Sequence, residues 1–137
     1  MKTALIFGVS GQDGSLMSRL LINKNIRVIG VTRDKKQRFK NHILLNTFKK
    51  INIVSIDKYN HKNIHRLIND FKPCYIYNFS GESSVSNSYK NFKETYYSII
   101  EVTEIILKCI NLIDKKIKFF NSSSRGIYGY YGGIINE

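Results

Sequence analysis

A chain of 137 residues with 42% hydrophobic side chains suffices for one packed domain and is short for two, which sets wholesale disorder aside. A formal net charge of +12 raises nucleic acid as a partner. The lysines are scattered, however, and the densest basic run, Arg33 to Lys50 with seven basic residues and one acid, reads as a solvated loop-and-helix face, so no nucleic-acid partner is expected.

The first element is a continuously apolar strand from Thr3 to Val9, the pattern of a strand covered on both faces. A glycine-rich turn leads into a helix over Ser15 to Asn23, with Leu16, Leu20 and Asn23 at helical spacing and Met17 and Leu21 beside them. Asn25 suits a left-handed helix end. A second strand runs from Arg27 to Thr32, and the polar stretch after it holds a short helix near Ile43 to Leu45. The third strand spans Ile51 to Ile56. A helix over His61 to Phe71 places Ile64, Leu67, Ile68 and Phe71 on one face and stops before Pro73. The fourth strand is Cys74 to Phe79. Ser88 to Ile113 reads as one long helix, with Phe92, Tyr96, Ile99, Thr103, Ile106, Ile110 and Ile113 as its apolar stripe. The fifth strand, Ile117 to Asn121, leads into a Gly- and Tyr-rich tail. Strictly alternating strands and helices predict an α/β fold, a Rossmann-type doubly wound parallel sheet of order 3-2-1-4-5. The expectation is a single dinucleotide-binding domain over residues 1–137, truncated after the fifth strand.

Gly8, Gly11 and Gly14 have the spacing GxxGxxG, between a buried strand and a helix. Glycines there let backbone approach a pyrophosphate, and the N–H groups and positive end of the helix dipole face the phosphates. Gly8, Ser10, Gly11, Gln12, Asp13 and Gly14 are therefore candidate cofactor-binding residues. The end of the second strand selects the cofactor. An acid there would take both ribose hydroxyls of NAD, whereas this chain has Arg33, 19 residues after Gly14. A guanidinium can pair bidentately with a 2′-phosphate, which favours NADP. Asp34 beside it keeps NAD as the alternative. Asp57, ending the third strand, can accept from the adenine amino group or simply form the turn before Lys58.

Other residues carry less. His61 and His65 lie one helical turn apart without an evident third ligand, so they read as surface histidines and no metal is expected. The serines at 83, 84 and 122–124 have no His/Asp partner pattern for hydrolase chemistry. Tyr75, Tyr77, Tyr96 and Tyr97 read as packing residues. Cys74 and Cys109 form no CxxC, and as free thiols they fit a reducing, cytoplasmic setting. Thr3 to Val9 is short for a signal sequence, and no apolar run approaches the ~20 residues of a membrane span, so no membrane partner is expected.

The filling of the motifs resembles one family. Gly11-Gln12-Asp13-Gly14-Ser15 is similar to the Gly-Gln-Asp-Gly-Ser of GDP-mannose 4,6-dehydratases, among the extended short-chain dehydrogenases, and Gly30-Val31-Thr32-Arg33 to the family's 2′-phosphate arginine segment. Ile76 to Val85 resembles its Ile-Tyr-Asn-Leu-Gly-Ala-Gln-Ser-His-Val, and Phe119 to Gly129 its Phe-Tyr-Gln-Ala-Ser-Thr-Ser-Glu-Leu-Tyr-Gly. The resemblance implies NADP, and adds Phe79, Ser80 and Gly81 as cofactor contacts and Ser83 and Ser124 as substrate contacts. It implies conversion of GDP-mannose to the 4-keto-6-deoxy sugar. Hydride passes from sugar C4 to the nicotinamide, a base takes the C5 proton, hydroxide leaves C6, and the hydride returns to C6.

The catalytic parts transfer incompletely. Ser124 matches the family's Ser/Thr, but Gly126 stands where the family has its catalytic Glu. The family's Tyr-x-x-x-Lys pair would lie beyond Glu137, and Tyr89 with Lys93 has that spacing at the wrong place in the fold. Ile100 and Thr103 replace a polar residue and a glycine of the family's long helix. The resulting expectation is the NADP-binding half of a dehydratase-like lyase, inactive alone and lacking the C-terminal substrate domain. The alternatives are a nucleotide-sugar epimerase or reductase fragment and a non-catalytic dinucleotide-binding module. The partners expected are the nucleotide sugar, a second copy, or a separately encoded C-terminal half. An uncovered fifth strand would favour self-association.

Overall fold

Five parallel strands form the sheet of the computed structural model, which describes residues 1–33, 39–82, 84–123 and 132–133. They are β1 (Thr3–Phe7), β2 (Arg27–Thr32), β3 (Asn52–Ser55), β4 (Tyr75–Asn78) and β5 (Lys118–Asn121), in spatial order β3-β2-β1-β4-β5. That is the doubly wound order expected from the alternation of elements. Phe7 pairs with Val31 on one side and Asn78 on the other, so β1, β2 and β4 end at one level. Strand order reverses between β1 and β4, and such a reversal opens a crevice beyond the strand ends.

Side chains alternate across the sheet. Leu5, Phe7, Ile29, Val31 and Ile76 pack with Ile64, Leu67 and Ile68 of α3 (His61–Phe71) and with Val102, Ile106, Cys109 and Ile110 of α6 (Val102–Ile113). Ala4, Ile6 and Val28 pack instead with Leu21 of α1 (Gln12–Asn23), Phe39 and Ile51. Each fully buried Val, Leu, Ile or Phe among them contributes about 1.5–3 kcal/mol relative to exposure. The buried side of α1 is Gly14, Ser15, Ser18 and Leu21, while Leu16 and Leu20 are largely exposed. Small residues on that side let the helix lie close to β1, and the Ser18 hydroxyl donates back to the Gly14 carbonyl at 2.7 Å. Asn25 takes the left-handed conformation that ends α1 (φ 55°). Asn60 caps α3 by accepting from the Asn63 N–H at 2.9 Å, and Lys72 ends it with φ 43°.

α2 spans Lys40–Leu44, close to its expected place. The long helix expected over Ser88 to Ile113 is instead divided. α4 (Val85–Lys90) ends at Asn91, whose φ −125° and ψ 56° leave the helical region, and α5 (Phe92–Tyr96) starts there with Asn91 as its N-cap. A π-helical turn, Tyr97–Glu101, then joins α5 to α6. A π turn widens the local repeat and rotates the helix on one side of it relative to the helix on the other. The apolar stripe therefore reaches the core at Ile106 and Ile110, joined by Val102 and by the partly buried Ile113, whereas Phe92, Tyr96 and Ile99 are exposed. Tyr96 is thus not the packing residue its spacing suggested. Among the described residues, no helix is long and apolar enough to cross a membrane.

Candidate functional site

β1 stops at Phe7 because Gly8 turns the chain with φ +73°, a conformation that disfavours any side chain. A Cβ at Gly8 would also lie 2.6 Å from the Phe79 carbonyl oxygen, so the loop after β1 runs directly against the chain leaving β4. The Gly11 N–H donates to the Gly8 carbonyl at 3.1 Å, folding the loop back before α1 begins. Gly11 caps α1 without any side-chain hydrogen bond, and the first N–H groups of a helix have no partner within it. The acid in that first turn, Asp13, is exposed.

These features bound a cleft of about 540 Å³ lined by Gly8, Ser10, Gly11, Gln12, Asp13, Gly14, Thr32, Arg33, Tyr59, Phe79, Ser80 and Gly81. Ten residues named from the sequence thus meet in one place: the glycine loop, Arg33 after β2, and Phe79 to Gly81 after β4. Asp57 is exposed past β3, and the walls formed by the described residues do not include it. Ser83, Ser124 and Gly126 lie outside the described residues, as does Asp34. His61 and His65 stack on α3 with ring centroids 5.8 Å apart, away from the residues that line the cleft.

Arg33 is held on two sides. Its Nη1 donates to Glu94 Oε1 of α5 at 2.6 Å, and its guanidinium lies 5.5 Å from the centre of the Tyr59 ring. The Glu94 hydrogen bond raises the Arg33 pKa against the opposing effect of burial, so its charge is fixed. Tyr59 is buried and packs edge-on to Phe7 at 5.4 Å. Burial pushes its hydroxyl up to about 12, against the opposing pull of Arg33. Burial raises the Tyr97 hydroxyl, against the opposing effects of the Tyr59 backbone and Arg33.

Sequence reading missed three further supports. The fully buried His42 of α2 contacts the Val9 carbonyl through Nε2 at 2.8 Å and the Thr47 hydroxyl through Nδ1 at 2.8 Å. A carbonyl can only accept, so Nε2 carries a proton and donates to Val9, while the Thr47 hydroxyl also reaches the His42 carbonyl at 3.4 Å. Asn41 reaches the Ser10 carbonyl at 3.5 Å, so α2 grips the glycine loop twice. Below the opposite wall, buried Asn78 donates to Asn121 at 2.8 Å and Thr103 at 3.2 Å, and accepts from Ser80 through N at 3.1 Å and Oγ at 2.5 Å. Thr103, a departure from the family's glycine, is built into this network and also donates back to the Ile99 carbonyl at 2.7 Å. Only a polar run, Asn41-His42, hinted at the first support; the others join residues with no shared motif.

Comparison with known proteins agrees with this layout. The family model for GDP-mannose 4,6 dehydratase matches residues 5–136. GDP-mannose 4,6 dehydratase of Dictyostelium discoideum is 29% identical over 93% of this chain, which covers 39% of that protein. The Vibrio cholerae enzyme is 28% identical over 93% of the chain and 37% of its own length. In structure the chain resembles UDP-glucose-4-epimerase of Stenotrophomonas maltophila with bound NAD and formylated UDP-arabinopyranose (TM-score 0.81, 18% identity, 97% of this chain and 40% of that one). It also resembles the Brucella ovis UDP-glucose 4-epimerase in complex with NAD (TM-score 0.79, 17% identity, 94% and 38%). At such identity the structural likeness is one of fold. The chain spans about two fifths of the length of these relatives.

Proposed function

Since this chain belongs to the GDP-mannose 4,6-dehydratase family, we propose that it is the dinucleotide-binding portion of a nucleotide-sugar 4,6-dehydratase that takes NADP in preference to NAD. The observation that carries this reading is the convergence of the glycine loop, the start of α1, which has no side-chain cap bond, and Arg33 on one cleft. The residues fit the group. Gly8 and Gly14 leave the loop without side chains where it meets β4 and α1. The first-turn N–H groups of α1 would take the pyrophosphate, and Arg33 would take the 2′-phosphate. Phe79, Ser80 and Gly81 would line the path toward the nicotinamide, and Asp57 would accept from the adenine amino group. The bound nicotinamide supplies a hydride acceptor and later donor.

By the family resemblance, Ser124 would hydrogen-bond the sugar C4 oxygen and Ser83 would contact the substrate, GDP-mannose in a complete enzyme. Gly126 offers no carboxylate for the C5 proton. Loss of a general base costs about 10²–10⁴ in rate, so dehydration by this chain alone is expected to be negligible. Gly126 equally favours a second reading, a dinucleotide-binding module without turnover. Both readings require the same cleft, and a reducing cytoplasm suits both.

Titration of the chain with NADPH and NADH, followed by nicotinamide fluorescence or calorimetry, tests the proposal. NADPH should bind more tightly, and Arg33→Ala should abolish the difference, a loss of about tenfold from one charge-assisted contact. Equal binding of both dinucleotides by the unaltered chain would refute the NADP assignment. Binding of neither, by folded protein, would refute the cleft.

A further inference from the structure

Arg33 reaches the cleft already engaged. Its Nη1 is bound to Glu94 Oε1 at 2.6 Å, from an element 61 positions away in sequence, and side-chain exposures of 42% and 58% leave both groups in contact with solvent. The contact does not depend on Glu94 alone. Asn91 starts α5 just before it, and the π turn Tyr97–Glu101 follows α5 directly. Tyr59 in turn lies against the Arg33 guanidinium. A carboxylate is thus fixed at the arginine that ends β2.

From this arrangement we infer that Glu94 is a specificity-determining residue that competes with the 2′-phosphate for Arg33 and so narrows the preference for NADP over NAD. This rests on the reading of Arg33 as the 2′-phosphate contact. A phosphate dianion arriving at Arg33 must displace or share a charge-assisted hydrogen bond, and it meets a second negative charge at the same place. A ribose hydroxyl meets no such opposition, because it can donate to the carboxylate. The pair therefore opposes the phosphorylated ligand selectively. Exposed ion pairs are worth up to about 1 kcal/mol, which sets the expected effect at roughly three- to tenfold once phosphate repulsion is included.

The test uses two small probes on the full chain, adenosine 2′,5′-bisphosphate and adenosine 5′-monophosphate, by calorimetry at fixed low salt. Glu94→Gln should tighten the bisphosphate by about three- to tenfold and leave the monophosphate within about twofold. Combined with Arg33→Ala, Glu94→Gln should lose most of that gain, since the competition runs through the guanidinium. Glu94→Lys, a second exposed substitution, should tighten the bisphosphate further. Circular dichroism checks that each variant folds. If the unaltered chain prefers the bisphosphate through Arg33, and Glu94→Gln leaves or weakens that preference, the competition is refuted while the NADP assignment stands. If neither the unaltered chain nor Arg33→Ala separates the two probes, the assignment of Arg33 falls and the inference falls with it.

Discussion

A methyl group added at Gly14 would press on the Gly8 carbonyl oxygen and lie 2.8 Å from the Val9 Cα, so Gly14→Ala has to force the loop away from α1. At Gly11 the nearest such atom is the Gly8 oxygen at 3.4 Å, an ordinary contact, and the residue is exposed. The two substitutions should therefore separate stability from binding. Gly14→Ala should cost about 1–3 kcal/mol in urea unfolding, as overpacking does. Gly11→Ala should change stability by less than about 0.5 kcal/mol yet weaken NADPH binding, because its methyl group meets the ligand and not the protein. Equal stability losses in both would show that the glycines serve the turn alone. At this scale the sequence was informative wherever the chemistry is local. The glycine loop and Arg33 declare themselves by position after a strand. Tyr59 and Glu94 do not, because their meeting with Arg33 depends on how β3 and α5 are carried back to the end of β2.

Helices and strands were legible to the extent that burial follows their own period. β2 and α3 have the bounds their patterns give. The long helix fails because apolar spacing cannot reveal a cap at Asn91 or a π turn at Tyr97–Glu101, both of which reset the phase. α2 has only five residues and little intrinsic stability, and its weight comes from one side chain. His42 spans from Thr47 to the Val9 carbonyl with no exposure to solvent. His42→Phe keeps the ring but leaves that carbonyl and the Thr47 hydroxyl without it. The expected cost is about 1–3 kcal/mol, read as a lower urea midpoint, with weaker NADPH binding as the loop loosens. An unchanged midpoint would show that the bridge does not hold the loop.

Across the molecule, one sheet face and one edge differ from the rest. α1 covers β1 and β2, whereas Tyr77 and Phe79 of the β4 segment meet Phe120 of β5 at ring distances of 6.2 and 5.8 Å, with Phe120 half exposed. Of the described strands, β5 pairs only with β4. The overall order of the sheet was legible because alternation and right-handed crossovers leave few topologies. The proposed NADP site is the cleft at the reversal between β1 and β4. Backbone amide shifts recorded while NADPH is added test it most directly. The largest changes are expected at residues 8–15, at Thr32 and Arg33, at Tyr59 and at residues 79–81, with the outer surface of α3 unmoved. Changes centred on α3 or on the β5 edge, with the glycine loop silent, would contradict it.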